Sequence, residues 1–367
     1  MTEHVDVVVV GAGGMGAATA WRLAARGRSV VLLEQFEHLH HRGSSHGQTR
    51  IFRVAYRDPV YTRLAQRAIP FWRTLEDESG TSLLEQTGQL DHGSPAAIDE
   101  IQRSLTDAGY AAVRLTPEQA ANRWPGMVFD QSVMYSPDGG RVYAERTVDA
   151  AVRTAVRLGA EFHDRTPVER IAPSGDGAVV HAGGRMWTAD VVVLTAGAWL
   201  PQLAAGVVPL PRLTITQQQP VHFAIRDGFA FPPFVHHASA AGTDDSLGFA
   251  AYGLESPGEG VKLGLEDTVR EVTTDSRSYE PEAAVDAAAR AYAERWLPGA
   301  DTSRMTSVTC LFTETADSHF ILDRVGPFVI CSPCSGHGFK FVPIIGELTA
   351  RLALGEHHRE ERWTLPM

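Results

Sequence analysis

The stretch from Val5 to Glu34 constrains this chain more than any other. A short apolar strand, Val7 to Val10, breaks into Gly11-Ala12-Gly13-Gly14-Met15-Gly16 and then into a helical run carrying Met15, Ala18, Trp21, Leu23 and Ala25. The run ends near Gly27, and a second apolar strand, Ser29 to Leu33, closes on Glu34. Strand, glycine turn, helix, strand and terminal acid in one βαβ-sized window predict a dinucleotide-binding fold. Gly11 permits the tight turn, Gly13 and Gly14 let backbone approach a pyrophosphate, and Gly16 lets the helix lie close on the strand. The phosphates are expected at the helix N-terminus, and Glu34 and Gln35 where a ribose is expected. An acid there argues against a 2′-phosphate, leaving NAD or FAD.

A later feature separates these two. Asp190 to Leu194 reads as a buried parallel strand running into Thr195-Ala196-Gly197-Ala198-Trp199, where small residues let backbone approach a flat ligand. Such a return to the nucleotide-binding sheet favours FAD. An earlier strand, Val168 to Ile171, is expected to line the adenine pocket.

Between these segments lies a window of unusual charge. The chain is acidic, with a formal net charge of −11, yet no carboxylate occurs between Glu37 and Asp58. His38, His40, His41, Arg42, His46, Arg50, Arg53 and Arg57 fall there, around a loop Gly43-Ser44-Ser45-His46-Gly47. Positive charge concentrated beside a phosphate-binding fold predicts an anion site, for cofactor phosphate or substrate carboxylate. No carboxylate or cysteine joins these histidines, so no metal is expected. The net acidity also argues against a nucleic-acid or anionic-membrane partner.

At 367 residues the chain has length for two domains or one large one. Helical periodicity runs over Val60 to Glu78, Ala96 to Ala108, Pro117 to Arg123, Ala144 to Leu158 and Glu282 to Trp296. From Leu210 to Ser307 the chain is rich in strands punctuated by proline. The expected class is α/β: a Rossmann-like FAD-binding domain (1–82, 141–205 and 308–367) interleaved with an α+β substrate domain (83–140 and 206–307). The latter is built on a largely antiparallel sheet. No run reaches membrane-spanning length, Glu3 and Asp6 replace the basic start of a secretory signal, and a cytoplasmic enzyme is expected.

The C-terminal part carries a second signal. A strand from Ser307 to Thr313 is expected to place Val308, Cys310 and Phe312 on one face. A further strand, Phe328 to Cys331, feeds Ser335-Gly336-His337-Gly338-Phe339-Lys340-Phe341, after which Pro343 starts a helix to Gly355. That glycine-rich turn forms a dipole-positive pocket, suited to negative charge on a reduced flavin, with Lys340 as a cation for a carboxylate. Lys262, in the strand-like Gly260 to Gly264, is either an outward surface lysine or a buried functional one. Cys331 and Cys334 are read as packing residues.

Taken together, Gly11 to Gly16, Gly43 to Arg50, Lys262-Leu263-Gly264, Cys310 and Ser335 to Phe341 resemble the monomeric sarcosine oxidase and N-methyltryptophan oxidase family, within the D-amino-acid-oxidase-like flavoproteins. The resemblance covers nearly the whole chain. It implies FAD bound covalently by a thioether from Cys310 to the flavin 8α carbon. Arg53 and Lys340 match the pair that holds the substrate carboxylate, and Lys262 the lysine that promotes reaction of reduced flavin with dioxygen. His46 and Arg50 match basic residues beside the isoalloxazine. Arg42, Ser45, Thr49, Val168, Ala196, Gly197, Trp199, Gly336, Gly338 and Phe339 complete the expected cofactor contacts.

Two departures matter for the substrate. Glu266 stands where the family pattern has a histidine near the substrate, and Phe312 where it has a tyrosine. A carboxylate and an apolar ring change the amine pocket and point away from sarcosine itself. The implied reaction is oxidation of a secondary amino acid, N-methyl or cyclic, to an imine, with dioxygen reduced to hydrogen peroxide. The alternatives are a cyclic imino acid oxidase of pipecolate type in a biosynthetic pathway, a dehydrogenase using another electron acceptor, and a flavin-binding protein without turnover. A monomer is expected.

Overall fold

The computed structural model describes residues 2–237, 251–266, 270–357 and 360–365. The fingerprint forms as its sequence requires: strand Thr2–Val10, helix Gly14–Ala24 and strand Val30–Leu33. Valines and leucines on both faces of these strands demand cover on both sides, and they receive it. The strand Thr2–Val10 pairs in parallel with Val30–Leu33 on one side and with Arg185–Leu194 on the other, Val10 opposite Leu33 and Leu194. Glu161–His163 extends the sheet beyond Val30–Leu33, and Phe328–Ser332 pairs in parallel with the end of Arg185–Leu194. The antiparallel hairpin Val168–Ser174 and Gly177–Ala182 forms the other flank.

Four helices cover one face of this sheet: Gly14–Ala24, Pro59–Ser79, Ala144–Arg157 and the C-terminal helix Val342–Ala353. Pro59–Ser79 starts cleanly because the Asp58 side chain accepts the Val60 N–H at 2.8 Å, and stops at Gly80, φ +68°. Gly346 lets the C-terminal helix lie on the fingerprint helix, since a Cβ there would sit 2.6 Å from the Ala18 carbonyl carbon.

A second eight-stranded sheet runs in the order Ala300–Ser307, Val221–Ile225, Gly260–Leu265, Ala251–Ser256, Phe234–His237, Gln89–Gly93, Ser132–Ser136, Val113–Leu115. All neighbours are antiparallel except Phe234–His237 with Gln89–Gly93. Helix Ala283–Trp296 covers it through Ala289 and Ala293. The fold is thus the α/β class expected, with a mixed, mainly parallel sheet and a largely antiparallel one.

The strand expected over Ser307 to Thr313 is broken. Ala300–Ser307 ends on the large antiparallel sheet, and Cys310–Glu314 pairs instead with Thr214–Gln218 in a separate three-stranded sheet. Pro220 interrupts the facing chain at the same level, having no N–H to give a ladder. The Val308 N–H goes to the Pro220 carbonyl at 3.1 Å, and Val308 is 39% exposed. It still lines the same cavity as the buried Cys310 and Phe312, so the three stay together although the strand is broken. Likewise, helix Val342–Ala353 does not open directly on the glycines: a 3₁₀ turn, Phe339–Phe341, intervenes.

Candidate active site

One cavity of about 790 Å³ runs from Glu34 to Lys340, between the parallel sheet and the antiparallel one. At its first end the fingerprint glycines form a cradle. A Cβ on Gly11 (φ +98°) would meet the Thr195 carbonyl oxygen at 2.7 Å, and one on Gly16 the Gly11 oxygen at 1.8 Å. Gly16 therefore acts behind the wall, closing helix onto strand, and does not line the cavity. Glu34 accepts the Ala12 N–H at 2.9 Å and the Phe36 N–H at 3.0 Å, with His40 Nε2 at 3.4 Å. Burial pushes this carboxyl up, but His40 and the Ala12 N–H outweigh it and hold it below the usual range. Gln35, Met15, Val168, Ala196, Gly197 and Trp199 complete this end of the wall.

The basic loop crosses the middle of the cavity, and its charges are largely fixed on backbone. Arg50 donates to the carbonyls of Thr49 (2.8 Å), Ser44 (2.9 Å) and His46 (2.7 Å), which makes the loop rigid and leaves a cation facing inward. Ser45 Oγ accepts the Gly14 N–H at 3.0 Å, tying the loop to the cradle. His46 is buried and its Nε2 has no hydrogen-bond partner among the described residues. Burial first, then Arg50 and His41, drive its pKa down to about 3, so the ring is neutral. Arg42 departs from expectation: its guanidinium stacks on Phe36 at 4.8 Å, outside the cavity wall.

Lys262, on Gly260–Leu265, points inward. It is buried and donates to the Thr49 carbonyl at 3.0 Å. Burial and then the Arg50 guanidinium lower its pKa to about 7, with Glu259 working the other way. Glu259 accepts the Ser256 hydroxyl at 2.6 Å and lies 3.6 Å from His222 Nδ1, and His222 sits directly across the ladder from Lys262. Cys310 opens its strand fully within the protein. Burial raises its thiol pKa, while Arg50, Lys262 and Arg277 pull it back.

At the far end Arg53 and Lys340 meet over one ring. The Arg53 guanidinium lies 4.2 Å from the Tyr56 centroid and Lys340 Nζ 5.7 Å from it. Both cations are 8% exposed. Lys340 Nζ donates to the His337 carbonyl at 2.7 Å, and the Lys340 carbonyl accepts the Trp72 indole N–H at 2.9 Å. Burial, then Arg53 and Arg50, hold its pKa well below the ordinary lysine value. Phe312, Leu254, Val235 and Tyr252 supply apolar surface around these cations. Gly336 has φ +73°, and a Cβ there would meet the Phe312 ring at 2.9 Å. Gly338 and Phe339 continue the wall, whereas Glu266, half-buried one residue beyond its strand, is not part of it.

Cys331 and Cys334 also reach the cavity wall, beyond the packing role expected of them. Sequence reasoning did not single out Tyr56, Tyr252, His222, Glu259 or Arg277. Each gains its place through a partner distant in the chain; a tyrosine three residues after Arg53 was the nearest available signal. Behind Arg53, a buried relay was also missed: the Val54 N–H reaches Gln89 (3.1 Å), Gln89 reaches Asp91 (2.5 Å), and Asp91 meets His237 (2.8 Å).

The cavity fits FAD on the structure's own terms. A cradle with no room for side chains, a carboxylate at its end, an unpartnered buried imidazole and an inward helix N-terminus accept a pyrophosphate, a ribose and a flat polar ring. Among the described residues no group of three or more histidine, cysteine or carboxylate side chains is placed to hold a metal ion, and no helix is long and apolar enough to cross a membrane.

Comparison with known proteins agrees. Residues 6–352 match the family described as FAD dependent oxidoreductase. The monomeric sarcosine oxidase of Streptomyces avermitilis is 34% identical, over 96% of this chain and 94% of that protein. The peroxisomal sarcosine oxidase of Homo sapiens is 30% identical, over 95% and 92%. Among solved structures, NikD, an unusual amino acid oxidase essential for nikkomycin biosynthesis, superposes with a TM-score of 0.87 over 99% of this chain and 98% of that one, at 23% identity. With its glycine cradle, acidic terminus and full-length likeness to these enzymes, the chain belongs to the FAD dependent oxidoreductase family and is a sarcosine oxidase-like FAD-dependent oxidoreductase.

Proposed function

We propose that this enzyme oxidises a secondary amino acid, N-methyl or cyclic, to an imine and reduces dioxygen to hydrogen peroxide. The observation that carries the reading is the pair of buried cations, Arg53 and Lys340, held over the Tyr56 ring at the end of a flavin-sized cavity. Two cations placed side by side, each only 8% exposed, complement the charge of a substrate carboxylate. Bound FAD supplies the two-electron acceptor. The chain's residues supply the rest. Gly11 to Gly14 and Ser45 hold the pyrophosphate, Glu34 the ribose, and His46 and Arg50 the polar edge of the ring. Arg53 and Lys340 fix the carboxylate, while Phe312, Tyr252 and Leu254 keep water from the amine. Lys262 presents a cation where dioxygen is reduced. Cys310 carries the flavin covalently, through a thioether to its 8α carbon.

The chain divides into a FAD-binding domain (1–82, 141–205, 308–367) and a substrate domain (83–140, 206–307). The sheets support this: all strands of the large antiparallel sheet come from 89–136 and 221–307. A cytoplasmic monomer completes the reading, checked by gel filtration.

The test is direct. Purified enzyme is mixed anaerobically with sarcosine, other N-methyl amino acids, cyclic imino acids and primary amino acids, and flavin bleaching is followed; peroxide is then measured in air. Bleaching by secondary amino acids with one peroxide per turnover is expected. Bleaching without peroxide makes the enzyme a dehydrogenase, and no bleaching by any amine removes the assignment. Arg53→Met is expected to raise KM roughly 10- to 100-fold, the loss of a charge-assisted contact, and to do so only for substrates bearing a carboxylate.

A further inference from the structure

Arg277 lies outside the cavity wall and is not assigned a role by any feature of the proposed reaction. Yet it is 5% exposed and grips the chain on two sides. One guanidinium nitrogen donates to the Arg42 carbonyl at 2.6 Å; the other donates to the Thr309 carbonyl at 2.6 Å and to the Thr309 hydroxyl at 3.1 Å. Thr309 immediately precedes Cys310. On the other side of the cysteine, the Leu311 carbonyl accepts a hydrogen bond from the Ser44 hydroxyl. Ser44 belongs to the same basic loop as Arg42. Both peptide carbonyls flanking Cys310 are therefore held to the loop that crosses the flavin site, one directly by Ser44 and one through Arg277. The clamp acts where the backbone has just left one sheet for another, at Val308 and Thr309, so no regular ladder fixes the cysteine from its N-terminal side.

We infer that Arg277 is the positioning residue for covalent attachment of the flavin at Cys310. The inference rests on the covalent linkage proposed above and goes beyond it. In the attachment, the Cys310 S–H proton and one proton of the flavin 8α methyl leave and an S–C bond forms. The two electrons pass to dioxygen, which takes up both protons as hydrogen peroxide. The step needs sulfur held against one carbon, and favours sulfur that is close to losing its proton. Arg277 serves the first by clamping Thr309. It serves the second as the third cation, with Arg50 and Lys262, acting on a buried thiol. Arginine suits this place because its planar fork reaches two carbonyls on separate segments, which a lysine ammonium cannot reproduce in the same geometry.

The experiment compares wild type, Arg277→Met, Arg277→Lys and Cys310→Ala. Each full-length protein is incubated with FAD in air, and total bound flavin and the share that stays with the acid-precipitated protein are measured over time. Wild type is expected to hold its flavin in the pellet and Cys310→Ala to release it. Arg277→Met is expected to bind flavin but to attach it about tenfold more slowly or worse, the scale of a lost charge-assisted bond pair. Arg277→Lys falls between. The decisive quantity is the ratio of covalent to total flavin, which a merely structural role would leave unchanged. Attachment by Arg277→Met at the wild-type ratio and rate overturns the inference while leaving the covalent linkage intact. A colourless wild-type pellet overturns the linkage itself, and the inference with it. If Arg277→Met yields no folded protein, Arg277→Lys decides alone: wild-type attachment overturns the inference, and slowed attachment at full flavin binding supports it.

Discussion

Lysine is the cation that can give up its proton near neutrality, and this chain has two, Lys262 and Lys340, against arginine everywhere else. Both are buried and both line the cavity. Lys262, with its pKa lowered to about 7, is protonated below that value and neutral above it. The reaction of reduced enzyme with dioxygen is therefore expected to slow as pH rises through about 7. Stopped-flow reoxidation should show this, and Lys262→Met should slow the step by about 100-fold and flatten its pH profile, the size of effect seen when a preorganised charge is removed. Much of this site was legible residue by residue. Gly11, Gly13, Gly14, Glu34, the loop from Ser45 to Arg50, Arg53 and Lys340 all reach the wall, because each sits in a local motif. Tyr56, Arg277 and His222 were hidden because their meaning lies in contacts hundreds of positions away or across a ladder. Arg42 was misplaced for the converse reason: local charge says nothing about a neighbouring ring, and Phe36 takes its guanidinium.

Helices were read to within a residue or two, since their apolar stripes and caps are local signals. Strands that change sheets were not. Ser307 to Thr313 has the apolar alternation of one strand, but the ladder is interrupted by Pro220 opposite and by the Val308 N–H turning to its carbonyl. Such a break is set by the partner strand. The packing of the C-terminal helix on the fingerprint helix depends on Gly346, whose Cβ position already lies against the Ala18 backbone. Gly346→Ala is expected to force these helices apart and lower stability by roughly 1–3 kcal/mol. Because Gly14 faces Val342 and Phe339 across the same seam, flavin affinity should fall with it. Thermal unfolding and flavin release of the variant measure both; wild-type values for both would show that the seam has slack.

On the scale of the whole molecule, several histidines are buried neutral. Burial foremost, then neighbouring cations, takes His46 to about 3 and His222 to about 4. Burial takes His236 to about 4, and His92 and His337 move in the same direction. An unfolded chain binds protons at these rings near pH 6.5, whereas the folded chain does not until far lower. Their contribution to stability is thus fully present above about 6.5 and is lost as pH falls towards the folded values, by up to about 1.4 kcal/mol per pH unit for each ring. The unfolding midpoint should drop steadily between pH 7 and pH 5, and an unchanged midpoint over that range would show that these rings accept protons in place.

The cradle for the cofactor is announced by the first sixteen residues but is not built by them. Thr195 donates to the carbonyls of Val10 and Gly11 at 2.8 Å, and Val342 and Phe339 close over Gly14. The walls of the site thus come from the beginning, the middle and the end of the chain. During synthesis, a ribosome-bound chain holding the glycine motif lacks the closure over Gly14 until residue 342 has emerged. A chain truncated before Val342 is therefore expected to lack this closure over Gly14 and to capture the cofactor poorly.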